Sequence, residues 1–277
     1  AANLEINFSF GFKPLTVAMG IDKNILTKDM YFDVSEPIKH ITDWDPCDCK
    51  LNIKDIIVKS SNIGTAKIAS IIGKNNQRDF FKLAGFFDRI DINLKEKALP
   101  LGNRHNWGKV ETMTIGYGHG FAITPMHLAI AYSSILNYGK KSKPKIILSE
   151  NNNDYIQIIK KDTSIYIAKL LRAVIEESTY TGPRVKIDGY DIGGKTGTAE
   201  ITGDNGKYNE DLNRTIFIGA FPMSDPKYLI LTFIEKPKRI KQENFSITAA
   251  TVNAPLVKKI ILRMIEILNI PKDKNHS

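Results

Sequence analysis

The residues best suited to chemistry lie in a short stretch at 193–200 that reads Gly-Gly-Lys-Thr-Gly-Thr-Ala-Glu. If this stretch is a strand, its side chains alternate between two faces, and Thr196 and Thr198 place their hydroxyls on the same face. Glycines in a strand leave the backbone open to a ligand, and Lys195 would add a positive charge beside that ligand. The stretch therefore predicts a ligand-binding strand at the edge of a sheet.

The alternative interpretation is a phosphate-binding loop, because residues 189–196 match the pattern G-x-x-x-x-G-K-[ST] in full. That pattern requires a buried strand before it and a helix after it. Residues 184–188 alternate like an exposed strand, and residues 197–203 hold poor helix formers and two glycines. The strand candidate at 230–234 ends in Glu235 and not in an aspartate suited to hold magnesium. A nucleotide-binding protein is therefore kept only as a remote alternative.

The composition is that of a folded globular protein, with 42% hydrophobic and 25% charged residues in 277. This length suits one large domain or two small ones. The net charge of +9 could attract an anionic polymer, but no basic cluster is interleaved with aromatic residues as in nucleic-acid binders. We therefore expect solvated lysine faces and no nucleic-acid partner. No apolar run could span a bilayer, which predicts that this piece is soluble.

The sequence offers no set of metal ligands. One residue separates Cys47 from Cys49, a spacing that disfavours a disulfide. A zinc site needs four ligands, and no second pair of cysteines or histidines is nearby. We therefore predict two free thiols near a turn, no metal site and no cofactor.

Helical and strand patterns follow one another along the chain. Helices are predicted at 12–25, 52–58, 63–72, 79–84, 124–139, 163–178 and 254–268, and mostly loops at 85–120. After residue 184 the pattern changes to a period of two, with strands predicted at 194–201, 215–221 and 227–234. Helices followed by an antiparallel sheet and a closing helix form an α+β arrangement.

Three motifs occur in a fixed order: Phe12-Lys13-Pro14-Leu15-Thr16 opening a helix, Ser60-Ser61-Asn62 between two helices, and Lys195-Thr196-Gly197-Thr198 on a strand. Together they resemble the transpeptidase domain of penicillin-binding proteins, and most of all the class B enzymes of septal wall synthesis. The resemblance covers roughly residues 12–268. It implies an α+β fold shared with serine β-lactamases, an antiparallel sheet flanked by helices with a mostly helical second subdomain.

The resemblance also implies a domain layout and a place in the cell. Residues 1–277 would form a single transpeptidase domain, with a helical part at about 27–180 and a sheet part at about 184–268. We expect this chain to lack the family's N-terminal sheet portion, pedestal and membrane anchor. The full-length protein would be anchored at the periplasmic face of the bacterial inner membrane. Its partners would be a division-site glycosyltransferase and other division proteins.

The activity that the resemblance implies is that of a serine acyltransferase acting on peptidoglycan stem peptides that end in D-Ala-D-Ala. β-Lactam antibiotics mimic that dipeptide. Lys13 would serve as the base if neutral, Ser60 would relay a proton to the leaving group, and Asn62 would hold the substrate amide.

The strand motif would hold the other end of the substrate. Lys195 and Thr196 would bind the terminal carboxylate, and Gly197 and Thr198 would complete the substrate and β-lactam site. The backbone N–H of Thr198 would supply half of an oxyanion hole.

The nucleophile departs from the family pattern Ser-x-x-Lys. Phe10 stands three residues before Lys13, and the nearest serine, Ser9, stands four before it. Phe8-Ser9-Phe10-Gly11 followed directly by Phe12-Lys13 indicates that two residues are missing after Gly11. The nucleophile is therefore unknown, with Ser9 as a candidate. Three explanations are open: the given sequence omits these two residues, the chain has lost them, or Ser9 attacks with altered spacing. The alternatives are a non-catalytic division scaffold and a β-lactamase on the same fold.

Overall fold

The computed structural model describes residues 6–7, 11–95, 97–100, 107–147, 154–202, 208–238 and 246–273, with the backbone alone for 6–7, 200–202 and 208–212. The described residues fall into two compact units, the first holding 6–7 and 12–168 and the second holding Gly11 and 169–273. In the described ranges, no helix combines the length and the apolar character that crossing a membrane requires.

The first unit is mostly helical. Its elements are β1 (Ile6–Asn7), α1 (Lys13–Asp22), β2 (Tyr31–Asp33), β3 (Lys50–Asn52), α2 (Ile53–Val58), α3 (Asn62–Ala84), α4 (Lys109–Gly116), β4 (Ala122–Ile123), α5 (Pro125–Leu136), β5 (Lys140–Ser142), β6 (Tyr155–Gln157) and the first half of α6 (Lys161–Glu177). The short strands pair antiparallel, as β1 with β4, β2 with β3, and β5 with β6.

The core of the first unit forms around α1, whose first eight residues, 13–20, are all buried. Such a helix has no polar face to present to solvent, in keeping with its apolar sequence. Phe12, directly before the helix, packs its ring 5.7, 5.6 and 6.3 Å, centroid to centroid, from the rings of Phe81, Phe86 and Phe121. This packing fixes the start of α1 and therefore the position of Lys13.

The helix predictions in this unit are confirmed in part. Gly73 leaves helical geometry with a φ of 79°, but the chain resumes the helix after it, and α3 continues to Ala84, where Gly85 forms a left-handed C-cap. The prediction of mostly loops over 85–120 is wrong for α4. A Cβ added at Gly116 would lie 2.4 Å from the Cβ of Ala69, so close packing on α3 stabilises α4 where intrinsic propensity does not.

The prediction of two free thiols is also wrong, because Cys47 and Cys49 are bonded to each other. The chain bends at Asp48 and brings their Cα atoms to 5.3 Å, inside the range in which disulfides form. An extended segment would hold these atoms about 7 Å apart. The turn, which the spacing alone does not reveal, makes the bond possible.

The second unit holds the main sheet. Its remaining elements are α7 (Gly182–Val185), β7 (Gly193–Thr202), β8 (Tyr208–Phe221), β9 (Tyr228–Glu235) and α8 (Ala249–Leu268). The sheet is antiparallel in the order β7-β8-β9, so the predicted strands and the α+β class are confirmed.

Helix α8 lies against this sheet. Asn253, fully buried, donates from Nδ2 to the backbone oxygens of Thr215 on β8 and Thr232 on β9. The helix starts at Ala249 and not at the predicted Ala254, because the preceding Thr248 forms a capping box with Thr251.

Candidate active site

Ser60 occupies the break between α2 and α3 and has a positive φ of 61°. The N–H of Lys59 donates to the oxygen of Asp55, and the N–H of Ser61 donates to the oxygen of Ile56 at 2.9 Å. The first is a regular helical bond, and the second is the 6→1 bond of a Schellman motif, in which the left-handed residue is usually glycine. A serine at this position is conformationally unfavourable by about 1 kcal/mol. Residues held in unfavourable backbone conformations are common at functional sites, which favours a functional role for the Ser60 hydroxyl.

Three of the predicted site residues meet at the side-chain nitrogen of Lys13. Lys13 is fully buried, and its Nζ donates to the backbone oxygen of Ser60 at 2.5 Å, to Ser60 Oγ at 3.0 Å and to Asn62 Oδ1 at 2.7 Å. These oxygens match the three donors of an ammonium group. At 3.0 Å a proton can pass between Lys13 Nζ and Ser60 Oγ, which is the geometry that general acid–base catalysis needs.

The amide of Asn62 is held at both ends. Its Oδ1 accepts from Lys13, and its Nδ2 donates to the backbone oxygen of Thr42 at 2.8 Å. Asp43, the residue after Thr42, accepts a hydrogen bond from the backbone N–H of Asn62 at 2.5 Å. The sequence patterns did not reveal the role of residues 42–43, because they lie in a segment without helical or strand periodicity.

Lys195 lies in the second unit on β7, paired with Ile218 of β8. It is 1% exposed, and burial lowers the pKa of its amine from 10.5 to about 7. Its Nζ donates to the backbone oxygen of Thr196 at 3.2 Å. Because the proton is weakly held, a nearby carboxylate would favour the charged form strongly.

The strand register confirms the predicted alternation of the motif. Thr196 pairs with Phe217 and Thr198 with Thr215 of β8, and the irregularity of pairing falls later, between Glu200 and Ile201. Thr198 Oγ1 accepts from the backbone N–H of Ala249 at 3.0 Å, so this hydroxyl also holds the start of α8.

The phosphate-loop interpretation is wrong, because Lys195 and Thr196 lie inside β7 and not in a loop that leads into a helix. Gly194 shows why the strand needs glycine here. A Cβ at this position would lie 2.5 Å from Cζ of Phe217 and 2.9 Å from the backbone oxygen of Ile218. Ser9, the candidate nucleophile, lies outside the described residues.

The fold is found in solved structures. The transpeptidase domain of penicillin-binding protein 3 from Burkholderia pseudomallei matches with a TM-score of 0.87 at 24% identity, covering 98% of this chain and 82% of that one. Penicillin-binding protein 3 from Mycobacterium tuberculosis, in complex with aztreonam, matches with a TM-score of 0.86 at 22% identity, covering 99% and 65%. At these identities the likeness shows the fold alone, and it is the fold that the resemblance implied.

The sequence comparisons define the family. The model of the penicillin binding protein transpeptidase domain matches residues 11–261, and the chain belongs to this family. A probable peptidoglycan D,D-transpeptidase FtsI from Caulobacter vibrioides is 29% identical over 277 residues, covering 94% of this chain and 46% of the relative. A peptidoglycan D,D-transpeptidase FtsI from Buchnera aphidicola is 28% identical over 271 residues with the same coverage. The chain thus spans about half the length of the curated relatives that it matches.

Proposed function

We propose that this chain is the catalytic domain of a septal peptidoglycan D,D-transpeptidase that also binds penicillin. The observation that carries the proposal is the convergence of Ser60 Oγ and Asn62 Oδ1 on the buried Nζ of Lys13, in a chain of the penicillin binding transpeptidase family. The names of the relatives as D,D-transpeptidases support the same reaction class.

The proposed reaction has two acyl transfers. With Lys13 in its neutral form, a serine hydroxyl gives its proton to Nζ and attacks the penultimate D-Ala carbonyl, forming an ester while the bond to the terminal D-Ala breaks. The departing amine takes a proton through Ser60, which is in hydrogen-bond contact with Lys13. An amine from a neighbouring stem peptide then attacks the ester and releases the serine. Asn62 holds the substrate amide during both steps.

The strand motif would bind the substrate's anionic end. Lys195 would pair with the terminal carboxylate beside the hydroxyl of Thr196, and Gly197, which has no side chain, would let the ligand approach the backbone between Thr196 and Thr198. The backbone N–H of Thr198 would stabilise the oxyanion. A carboxylate raises the affinity of Lys195 for its proton, so binding would restore the charge that burial disfavours.

We also propose where the protein works. A longer protein that includes this domain would be anchored at the periplasmic face of the inner membrane and would act with a division-site glycosyltransferase and other division proteins. The names of the relatives as peptidoglycan D,D-transpeptidases support a place of work at the cell wall. The disulfide between Cys47 and Cys49 suits an oxidising compartment such as the periplasm.

A second candidate function is a non-catalytic scaffold of the same fold. The observation that favours it is the phenylalanine at position 10, where the family pattern places a serine three residues before Lys13. A scaffold would bind β-lactams reversibly at most.

Intact mass spectrometry with and without benzylpenicillin separates these functions. The transpeptidase proposal predicts a gain of one penicillin per chain, and a peptide map then identifies the acylated residue and reads the sequence that precedes Lys13. Rapid loss of the adduct would indicate a β-lactamase. An unchanged mass in a folded sample would favour the scaffold.

Lysines at the two ends of α1, Lys13 as its first residue and Lys23 directly after its last, give a matched control for the same assay. Lys13→Met is expected to abolish the adduct, because it removes the nitrogen that contacts Ser60 and Asn62. Lys23, at the end of the same helix, is exposed, and Lys23→Met is expected to be acylated like the wild type. Equal acylation of both variants would contradict the role proposed for Lys13.

A further inference from the structure

Asp43 lies in the segment between β2 and β3, yet its carboxylate contacts the start of α3. Oδ2 accepts from the hydroxyl of Ser61 at 2.5 Å. Oδ1 accepts from the backbone N–H of Asn62 at 2.5 Å and from that of Ile63 at 3.0 Å. One half-buried side chain therefore holds three consecutive residues that follow it by 18 to 20 positions.

These contacts satisfy donors that the helix itself leaves without partners. The first N–H groups of an α-helix have no intrahelical acceptor. In α3 Asp43 accepts from the first two, and Ser61 Oγ accepts from the third, the N–H of Gly64, at 2.9 Å. A negative charge at this end of a helix also interacts favourably with the helix dipole. Asp43 thus fixes where α3 begins, and with it the backbone of Asn62.

The side chain of Asn62 is fixed from the same place. Its Nδ2 donates to the backbone oxygen of Thr42, the residue before Asp43. With its nitrogen held there, the amide turns Oδ1 toward Lys13 Nζ at 2.7 Å. Backbone and side chain of Asn62 are therefore both anchored on residues 42–43.

We propose that Asp43 is a positioning residue for acyl transfer, acting through Asn62 on the contact with Lys13. This inference rests on the proposed transpeptidase function. Asp43 would touch neither the substrate nor the nucleophile. It would hold the Asn62 amide in the geometry in which it both contacts Lys13 and receives the substrate, and small displacements of such groups lower rates steeply.

The test measures acylation of the full chain by a fluorescent penicillin, separating the dissociation constant of the first complex from the rate constant of acylation. Asp43→Asn keeps the size of the side chain but replaces one acceptor by a donor that cannot accept from Ser61. We expect the acylation rate constant to fall about 10- to 100-fold while the dissociation constant changes little. Asp43→Glu keeps the carboxylate and is expected to recover part of the rate.

The matched control is Asp45→Asn, because Asp45 is an exposed carboxylate in the same segment. It is expected to react like the wild type. An Asp43→Asn variant that reacts within about twofold of the wild type would overturn the inference.

A double-mutant cycle tests whether Asp43 acts through Asn62. If it does, Asp43→Asn changes the rate by less than about twofold once Asn62 is replaced by alanine. Losses that multiply would show that Asp43 acts independently and would also overturn the inference.

Failure of the proposed function is distinguishable, because then the wild type itself is not acylated. Crystal structures of the wild type and of Asp43→Asn decide the positioning claim in that case. The inference expects Asn62 Oδ1 to move beyond hydrogen-bond distance of Lys13 Nζ in the variant. An unchanged contact at 2.7 Å would refute it.

Discussion

Replacing Lys195 by methionine should remove a pH dependence from the stability of this protein. The amine is 1% exposed, and burial lowers its pKa from 10.5 to about 7. Below pH 7 both the folded and the unfolded chain hold the proton, and folding bears the full cost of burying the charge. Between pH 7 and 10.5 the unfolded chain binds more protons than the folded chain, so the free energy of unfolding rises with pH.

The two pKa values set the size of the effect. Their difference, at about 1.4 kcal/mol per pH unit, corresponds to about 5 kcal/mol of destabilisation at low pH. Raising the pH from 7 to 9 should relieve about 2 kcal/mol of it. Methionine fills a similar volume without a charge, so the variant lacks this contribution at every pH.

Urea unfolding of wild type and Lys195→Met from pH 6 to 9 measures the difference directly, and titrations common to both proteins cancel. The variant should be the more stable protein at pH 7, and its advantage should shrink by about 2 kcal/mol at pH 9. Lys259, exposed on α8, supplies the control variant Lys259→Met, for which the difference should not change with pH. A difference for Lys195→Met that stays constant from pH 7 to 9 would show that the buried amine titrates normally and would refute the reasoning.

Urea unfolding of three further variants tests the backbone conformation of Ser60, the packing of β7 and a buried ion pair. Ser60→Gly should be more stable than Ser60→Ala by about 1 kcal/mol, because glycine adopts a φ of 61° without steric strain and alanine does not. Both variants lack the hydroxyl and should be acylated more slowly by penicillin. Equal stabilities would contradict the left-handed conformation of residue 60. Gly194→Ala should cost about 1 to 3 kcal/mol, because the new Cβ meets Phe217 at 2.5 Å; a neutral effect would contradict that packing. Arg172→Ala should cost about 2 kcal/mol, because it removes an ion pair at 2.9 Å to the buried carboxylate of Asp191. In the Asp191→Asn background the same substitution should cost less, and an equal cost would contradict the ion pair.

The sequence by itself determined the parts of the fold that repeat locally. In a strand every second side chain shares a face, so β7 and β9 could be placed within one residue at each end. The end of β8 at Phe221 was also predicted, but the strand begins at Tyr208, seven residues before the predicted Thr215. The end of α2 at Ser60-Ser61-Asn62 was equally visible, because small polar residues interrupt an apolar helical pattern there. The order of the three motifs was enough to identify the family.

Local pattern was a poorer guide wherever contacts between distant segments stabilise the structure. Helix α4 forms on sequence that favours loops, because Gly116 allows it to pack closely on α3 and Thr16 Oγ1 donates to its last backbone oxygen at 2.6 Å. The bond between Cys47 and Cys49 depends on a turn that their spacing does not encode.

Only the tertiary structure decided the properties on which the proposed chemistry depends. The sequence shows that Lys13, Ser60 and Asn62 are present, but their meeting at one nitrogen requires α1 to be buried beside the α2–α3 break. Likewise, Asp43 acquires a role only because folding brings its carboxylate to the N–H groups at the start of α3. The physical reason is range: periodicity records which face of an element is buried, whereas a hydrogen bond to a residue 20 or 49 positions away leaves no local pattern.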